Sequence, residues 1–139
     1  MRRAGSIAPV ALLLCGCTVT TAPVPRPVVL ATESTGTLVV SWTIDDHADA
    51  DACVRAAATS VHIALTTTAG ADAGTYTPDC ATFSMAIQLA PETYAGSALL
   101  VDALGRPRTS VVMLQSFTIL GGDVITTPID FAAQTFTPN

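Results

Sequence analysis

The 139-residue chain contains no lysine. Its six basic residues are all arginine, and two of them, Arg2 and Arg3, stand at the N-terminus. Eleven acidic residues oppose them. Nucleic-acid binding needs a basic footprint that neutralises phosphates. None is present, so no nucleic-acid partner is expected. Aromatic residues are also few, with one Trp, two Tyr and four Phe. Most fall at positions that read as core, which leaves no aromatic platform for a carbohydrate. Only two histidines are available as general bases. There is no G-x-S-x-G elbow. The nearest string, Ala95-Gly96-Ser97-Ala98, lacks the first glycine and lies in a strand pattern. No phosphate loop, dinucleotide fingerprint or haem motif occurs. A Ser-His-Asp set can be assembled from distant residues, but nothing in the pattern points to one. The chain is not expected to be an enzyme.

Long apolar runs are missing at the N-terminus as well. Residues 7–14 form an apolar stretch of eight residues interrupted by Pro9. A membrane-spanning helix needs about 20. Two arginines, a short apolar run and a small residue after it match the plan of a secretory signal peptide.

The residues that follow, Leu14-Cys15-Gly16-Cys17, resemble the bacterial lipobox: an aliphatic residue, a tolerant position, a small residue, then a cysteine. The resemblance implies that Cys17 is lipidated and becomes the first residue of the mature chain. Cys15 stands at the tolerant position, where alanine or serine is commoner. Two alternatives are an ordinary signal peptide cut nearby and a Cys15–Cys17 pair that binds metal or forms a disulfide. A C-x-C beside an apolar run with no nearby histidine is a poor metal site. Each buried CH₂ of an acyl chain contributes about 0.8 kcal/mol, so two or three chains hold where one is marginal. The membrane partner is therefore expected through the lipid anchor. An acidic chain is not itself drawn to anionic head groups. Thr18 stands where the family's inner-membrane retention signal has aspartate. The resemblance thus implies the bacterial cell envelope, the outer membrane rather than the inner.

Three segments are expected: a lipoprotein signal peptide at 1–16, a lipidated N-terminus and linker at 17–35, and a folded domain at 36–139. Pro23, Pro25 and Pro27 favour an extended, polyproline-like tether. Cys53 and Cys80 are the other two cysteines. In an exported protein an even pair reads as a disulfide; two buried free thiols are the alternative.

The folded segment alternates with period two. Leu38, Val40, Trp42 and Ile44 share one face, as do Val61, Ile63 and Leu65, then Phe83, Met85, Ile87 and Leu89. Residues 92–105 read as a fourth strand that starts near Tyr94, with its turn at 102–105. Residues 110–120 read as a fifth strand. Residues 124–131 form a sixth, with Ile125, Ile129 and Phe131 inward. Pro128 marks that strand as an edge or a bulge. Residues 49–58, DADACVRAAA, lack alternation and predict one or two helical turns, with acids near their start favourable to the helix dipole. The expected class is all-β: a small antiparallel sandwich of six to seven strands with a short helical turn near residues 49–58.

Tyr94, the run 99–101, Asp102 and Gly105 in a turn, and the final Ile129-Asp130-Phe131 resemble the second half of transthyretin-like and immunoglobulin-like domains of secreted bacterial proteins. Taken with Trp42 and the Cys53/Cys80 pair, the chain resembles a family of bacterial lipoproteins with such a domain. The resemblance implies a fold class and no activity. Immunoglobulin domains place a tryptophan between two bridged cysteines, whereas Trp42 precedes both.

The most charged stretch is Asp45-Asp46-His47-Ala48-Asp49-Ala50-Asp51. Asp45, Asp49 and Asp51 have some of the spacing by which calcium collects oxygen ligands, so calcium is the one cofactor to weigh. The EF-hand glycine and glutamate are missing. A solvated acidic loop that caps the next helix is the simpler reading. His47 offers zinc a single nitrogen. His62 reads as an outward strand residue. The main expectation is a structural, adhesive or partner-binding envelope domain whose edge strands dock a protein partner. The alternative is a calcium- or small-ligand-binding module built on 45–51.

Overall fold

The computed structural model describes residues 34–132. The signal peptide, Cys15, Cys17 and nearly all of the tether lie outside the described residues. Seven strands form two sheets: β1 (Gly36–Ile44), β2 (Ser60–Thr67), β3 (Asp72–Tyr76), β4 (Ser84–Leu89), β5 (Glu92–Val101), β6 (Val112–Ile119) and β7 (Val124–Phe131). One sheet runs β4-β1-β7 and the other β3-β2-β5-β6. A short helix, α1 (Ala50–Arg55), lies between β1 and β2, and a 3₁₀ turn (Cys80–Thr82) precedes β4. This is the all-β sandwich the alternation predicts.

The alternation works because successive strand side chains point to opposite faces. Leu38, Val40, Trp42 and Ile44 of β1 are buried, and so are Val61, Ile63 and Leu65 of β2. They meet Ile87, Leu89, Tyr94, Leu100, Leu114, Ile119, Ile129 and Phe131 in one core. Tyr94 is buried with its hydroxyl satisfied. It donates to the Ala90 carbonyl at 2.9 Å, and its ring stacks on Phe117 at 5.8 Å. Burial, reinforced by the nearby Glu92 carboxylate, pushes its phenol pKa up.

Three features differ from the sequence reading. The β1–β7 pair is parallel, from Thr37 opposite Val124 to Ile44 opposite Phe131, while every other strand pair is antiparallel. Alternation assigns a face and says nothing about direction. β3 is a seventh strand that the residue-by-residue reading passes over. Third, Phe83 sits outside β4. Its φ of 54° is left-handed, and it closes the 3₁₀ turn while packing, half-buried, against the core.

β6 keeps its apolar residues inward by an irregularity. Tyr94 pairs with Phe117 but Gly96 pairs with Leu114, so Gln115 and Ser116 together face Ala95 alone. Such a bulge shifts the alternation by one residue. Val112 and Leu114 point inward before it, Phe117 and Ile119 after it. Pro128 lies on β7, an edge strand of its sheet, opposite Ser41. Proline, lacking an N–H, is tolerated there.

Candidate functional site

The acidic stretch forms the corner after β1. Ile44 and His47 exchange two backbone hydrogen bonds, so Asp45 and Asp46 are the two central residues of a tight turn. Both have positive φ, 52° and 63°. Aspartate tolerates the left-handed region better than most residues. The Asp46 N–H donates to the Asp130 carboxylate at 3.1 Å, and Thr43 Oγ1 donates to the same oxygen at 2.7 Å. A ring nitrogen of His47 meets the Asp45 carbonyl. Asp49 is the N-cap of α1: its carboxylate accepts from the Ala52 N–H at 2.9 Å, and Arg55 lies 4.0 Å away. Asp51 is exposed in the first turn of the helix. Among the described residues, no three His, Cys, Asp or Glu side chains converge as a metal site would require. Of the carboxylates in 45–51, that of Asp49 caps the helix, while Asp45, Asp46 and Asp51 are exposed.

His62 lies on the outer face of β2, half-buried and opposite Leu99. Cys53 of α1 and Cys80 of the 3₁₀ turn form a disulfide with their Cα atoms 6.1 Å apart. It ties the helix to the segment before β4 across 27 residues of sequence. Trp42 Nε1 donates to the Cys80 carbonyl at 2.9 Å, which fastens the same turn to β1.

Among the hollows on the surface of the described residues are two of about 500 Å³ each. One lies at the end of the sandwich, between α1 and the 102–108 turn, where Val54 and Leu104 are exposed. Its charges are largely matched. Arg106 Nε donates to Asp102 at 2.7 Å, and the Asp102 carboxylate also accepts the backbone N–H groups of Leu104 and Arg106. These bonds hold the Asp102 carboxyl below the usual carboxylate range, the Arg106 N–H first among them.

The other hollow is a groove between β6 and β7. Each strand is the edge of its own sheet, and each contributes six consecutive residues, 112–117 and 125–130. Half-buried Val112, Phe117 and Ile125 belong to its lining. Edge strands present unpaired backbone groups, and proteins commonly blunt them with charge, proline or short length. The other edges follow that rule in part. β3 has five residues and carries Asp72, β7 carries Pro128 and Asp130, and β4 exposes only Ser84, Ala86 and Gln88. β6 has neither charge nor proline and runs for eight residues; the bulge at Gln115 and Ser116 is its one guard. No ionisable residue occurs from position 109 to 122, and Val111, Met113, Leu120 and Val124 are exposed along and just after it. The alternation of residues 110–120 marks a strand and does not mark this edge. The signal that finds it is the uncharged run itself, in a chain with a formal charge of −5.

No family model, no curated protein and no solved structure matches the chain.

Proposed function

We propose that this chain is a lipid-anchored β-sandwich of the bacterial cell envelope, without catalytic activity, that docks a protein partner along the β6–β7 groove. The uncharged, apolar edge of β6 carries the reading. An extended strand laid along it would gain main-chain hydrogen bonds from the free edge and bury Val111 and Met113, which is β-augmentation. The spacing favours such a guest. Stacked sheets lie about 10 Å apart and neighbouring strands about 4.8 Å, so the open side of a sandwich has about the width that one strand needs between two edges. Cys17 supplies the anchor, and the proline-rich tether gives the domain reach from the membrane surface. Cys53, Cys80 and Trp42 hold the fold that presents the edge.

Site-specific photocrosslinking in intact cells tests it. A crosslinker at exposed Gln115, on the groove, should give one discrete adduct, and one at exposed Ala86, on the β4 edge, should give none. No adduct at 115, or the same adducts from both positions, overturns the reading.

A further inference from the structure

The β6 edge is self-complementary, and we propose that its occupant is a second copy of this chain, paired β6 to β6 about a two-fold axis through Met113. The inference rests on the docking reading above and names its partner.

Two observations select a second copy. The first is charge. The chain is acidic, so two copies repel across most of their surfaces, and like charges brought together at an interface oppose association. The neutral run 109–122 lets them meet without placing carboxylates opposite one another. The exposed apolar side chains Val111 and Met113 lie in that run.

The second is register. A two-fold axis pairs identical strands antiparallel, and residues directly opposite in an antiparallel pair lie on the same face. The bulge at Gln115 and Ser116 confines regular pairing to the first part of β6. An axis through Met113 sets Met113 against the partner's Met113 on the outer face. It also sets Val112 against the partner's Leu114 on the core face. Val112 and Leu114 both point inward here, so each pair joins apolar to apolar. The two four-stranded sheets become one sheet of eight. The axis also hides Met113, which is 71% exposed in the single chain.

A cysteine scan in the full chain, in its own envelope, tests this. Cys53 and Cys80 are already bridged. With Met113→Cys, mild oxidation should give a covalent dimer of twice the chain mass that reductant dissolves. Val124→Cys is the control: Val124 is 70% exposed but lies on β7, away from the axis, and should give no dimer. In sedimentation of the detergent-solubilised protein, Met113→Lys should convert a dimer to a monomer whose circular-dichroism spectrum stays that of the folded parent, with a melting temperature that no longer depends on protein concentration. Equal crosslinking at 113 and 124, no dimer at 113, or a dimer that survives Met113→Lys overturns the proposal. If Met113→Cys forms no dimer while a crosslinker at Gln115 captures a different protein, the second copy is wrong and the docking reading stands. If neither position captures anything, both fail.

Discussion

The indole N–H of Trp42 donates to the carbonyl of Cys80 at 2.9 Å, in the core. The two residues are 38 positions apart. The bond crosses from β1 to the 3₁₀ turn, and the Cys53–Cys80 disulfide carries the connection on to α1. Strand, turn and helix are thus fastened at one point, beside the backbone bonds from Cys80 to Thr59 and from Trp42 to Phe83. Besides the indole, the carbonyl receives only a long bond of 3.5 Å from the Phe83 N–H.

Breaking this junction should cost stability by two separable routes. Cys53→Ala with Cys80→Ala removes the cross-link and should destabilise by about 3 to 4 kcal/mol in the chain-entropy view. Trp42→Phe keeps an aromatic ring but leaves a buried carbonyl poorly satisfied, at a cost of about 1 to 3 kcal/mol. Urea unfolding followed by far-ultraviolet circular dichroism measures both. A Trp42→Phe variant as stable as the parent would remove the hydrogen bond from the account.

Much of this architecture is legible in the residues, because a half-buried strand writes its face into period two. Leu38, Val40, Trp42 and Ile44 declare β1, and Val61, Ile63 and Leu65 declare β2. The cap is legible too, since Asp49 precedes an alanine-rich run and aspartate competes for N–H groups at a helix start. β3 is not legible. Gly70, Asp72 and Gly74 give it the composition of a turn, and a register shift at Leu65/Thr66 spoils its alternation. Neither is the parallel β1–β7 pair, because partner and direction are set by long-range packing. Phe83 misleads for a related reason: it has the right parity for β4 but belongs to the turn before it. The exposed β6 edge is written as an absence of charge, which a search for chemical motifs passes over.

Gly96 should resist substitution. A Cβ there would lie 2.9 Å from the Ala64 carbonyl and 2.7 Å from a Leu65 methyl. The backbone oxygen cannot swing aside, so Gly96→Ala should cost about 1 to 3 kcal/mol by overpacking. A thermal scan checks it, and an unchanged melting temperature would mean that β2 and β5 yield more than their close pairing implies.

Asp102 gives stability a pH dependence. Hydrogen bonds from Arg106 and Leu104 favour its carboxylate and lower its pKa in the folded state. A group with a depressed folded pKa contributes stability above its unfolded pKa of about 3.9 and loses it as pH falls through the folded value. Asp102→Asn should therefore destabilise at neutral pH, with the difference from the parent shrinking below about pH 4. Urea midpoints for both proteins across that window measure it. A constant gap at every pH would assign the effect to geometry rather than to charge.

Asp49→Ala should cost about 1 kcal/mol, the usual worth of an N-cap, because the Ala52 N–H loses the carboxylate at 2.9 Å and keeps only the Asp49 carbonyl at 3.0 Å. Calcium should leave the melting temperature of the parent where it is, since among the described residues no three possible ligand side chains of 45–51 converge. A rise with calcium that a chelator reverses, and that Asp45→Asn or Asp51→Asn abolishes, would establish the metal module instead.

The proposed function puts a stapled sandwich at a membrane surface, and the intact mass of the protein taken from the membrane fraction tests that most directly. The predicted mass is that of a chain beginning at Cys17 with a diacylglycerol added, rising by two hydrogens on reduction as the Cys53–Cys80 bond opens. An unlipidated chain in the soluble fraction would contradict it and leave a diffusible binding domain in its place.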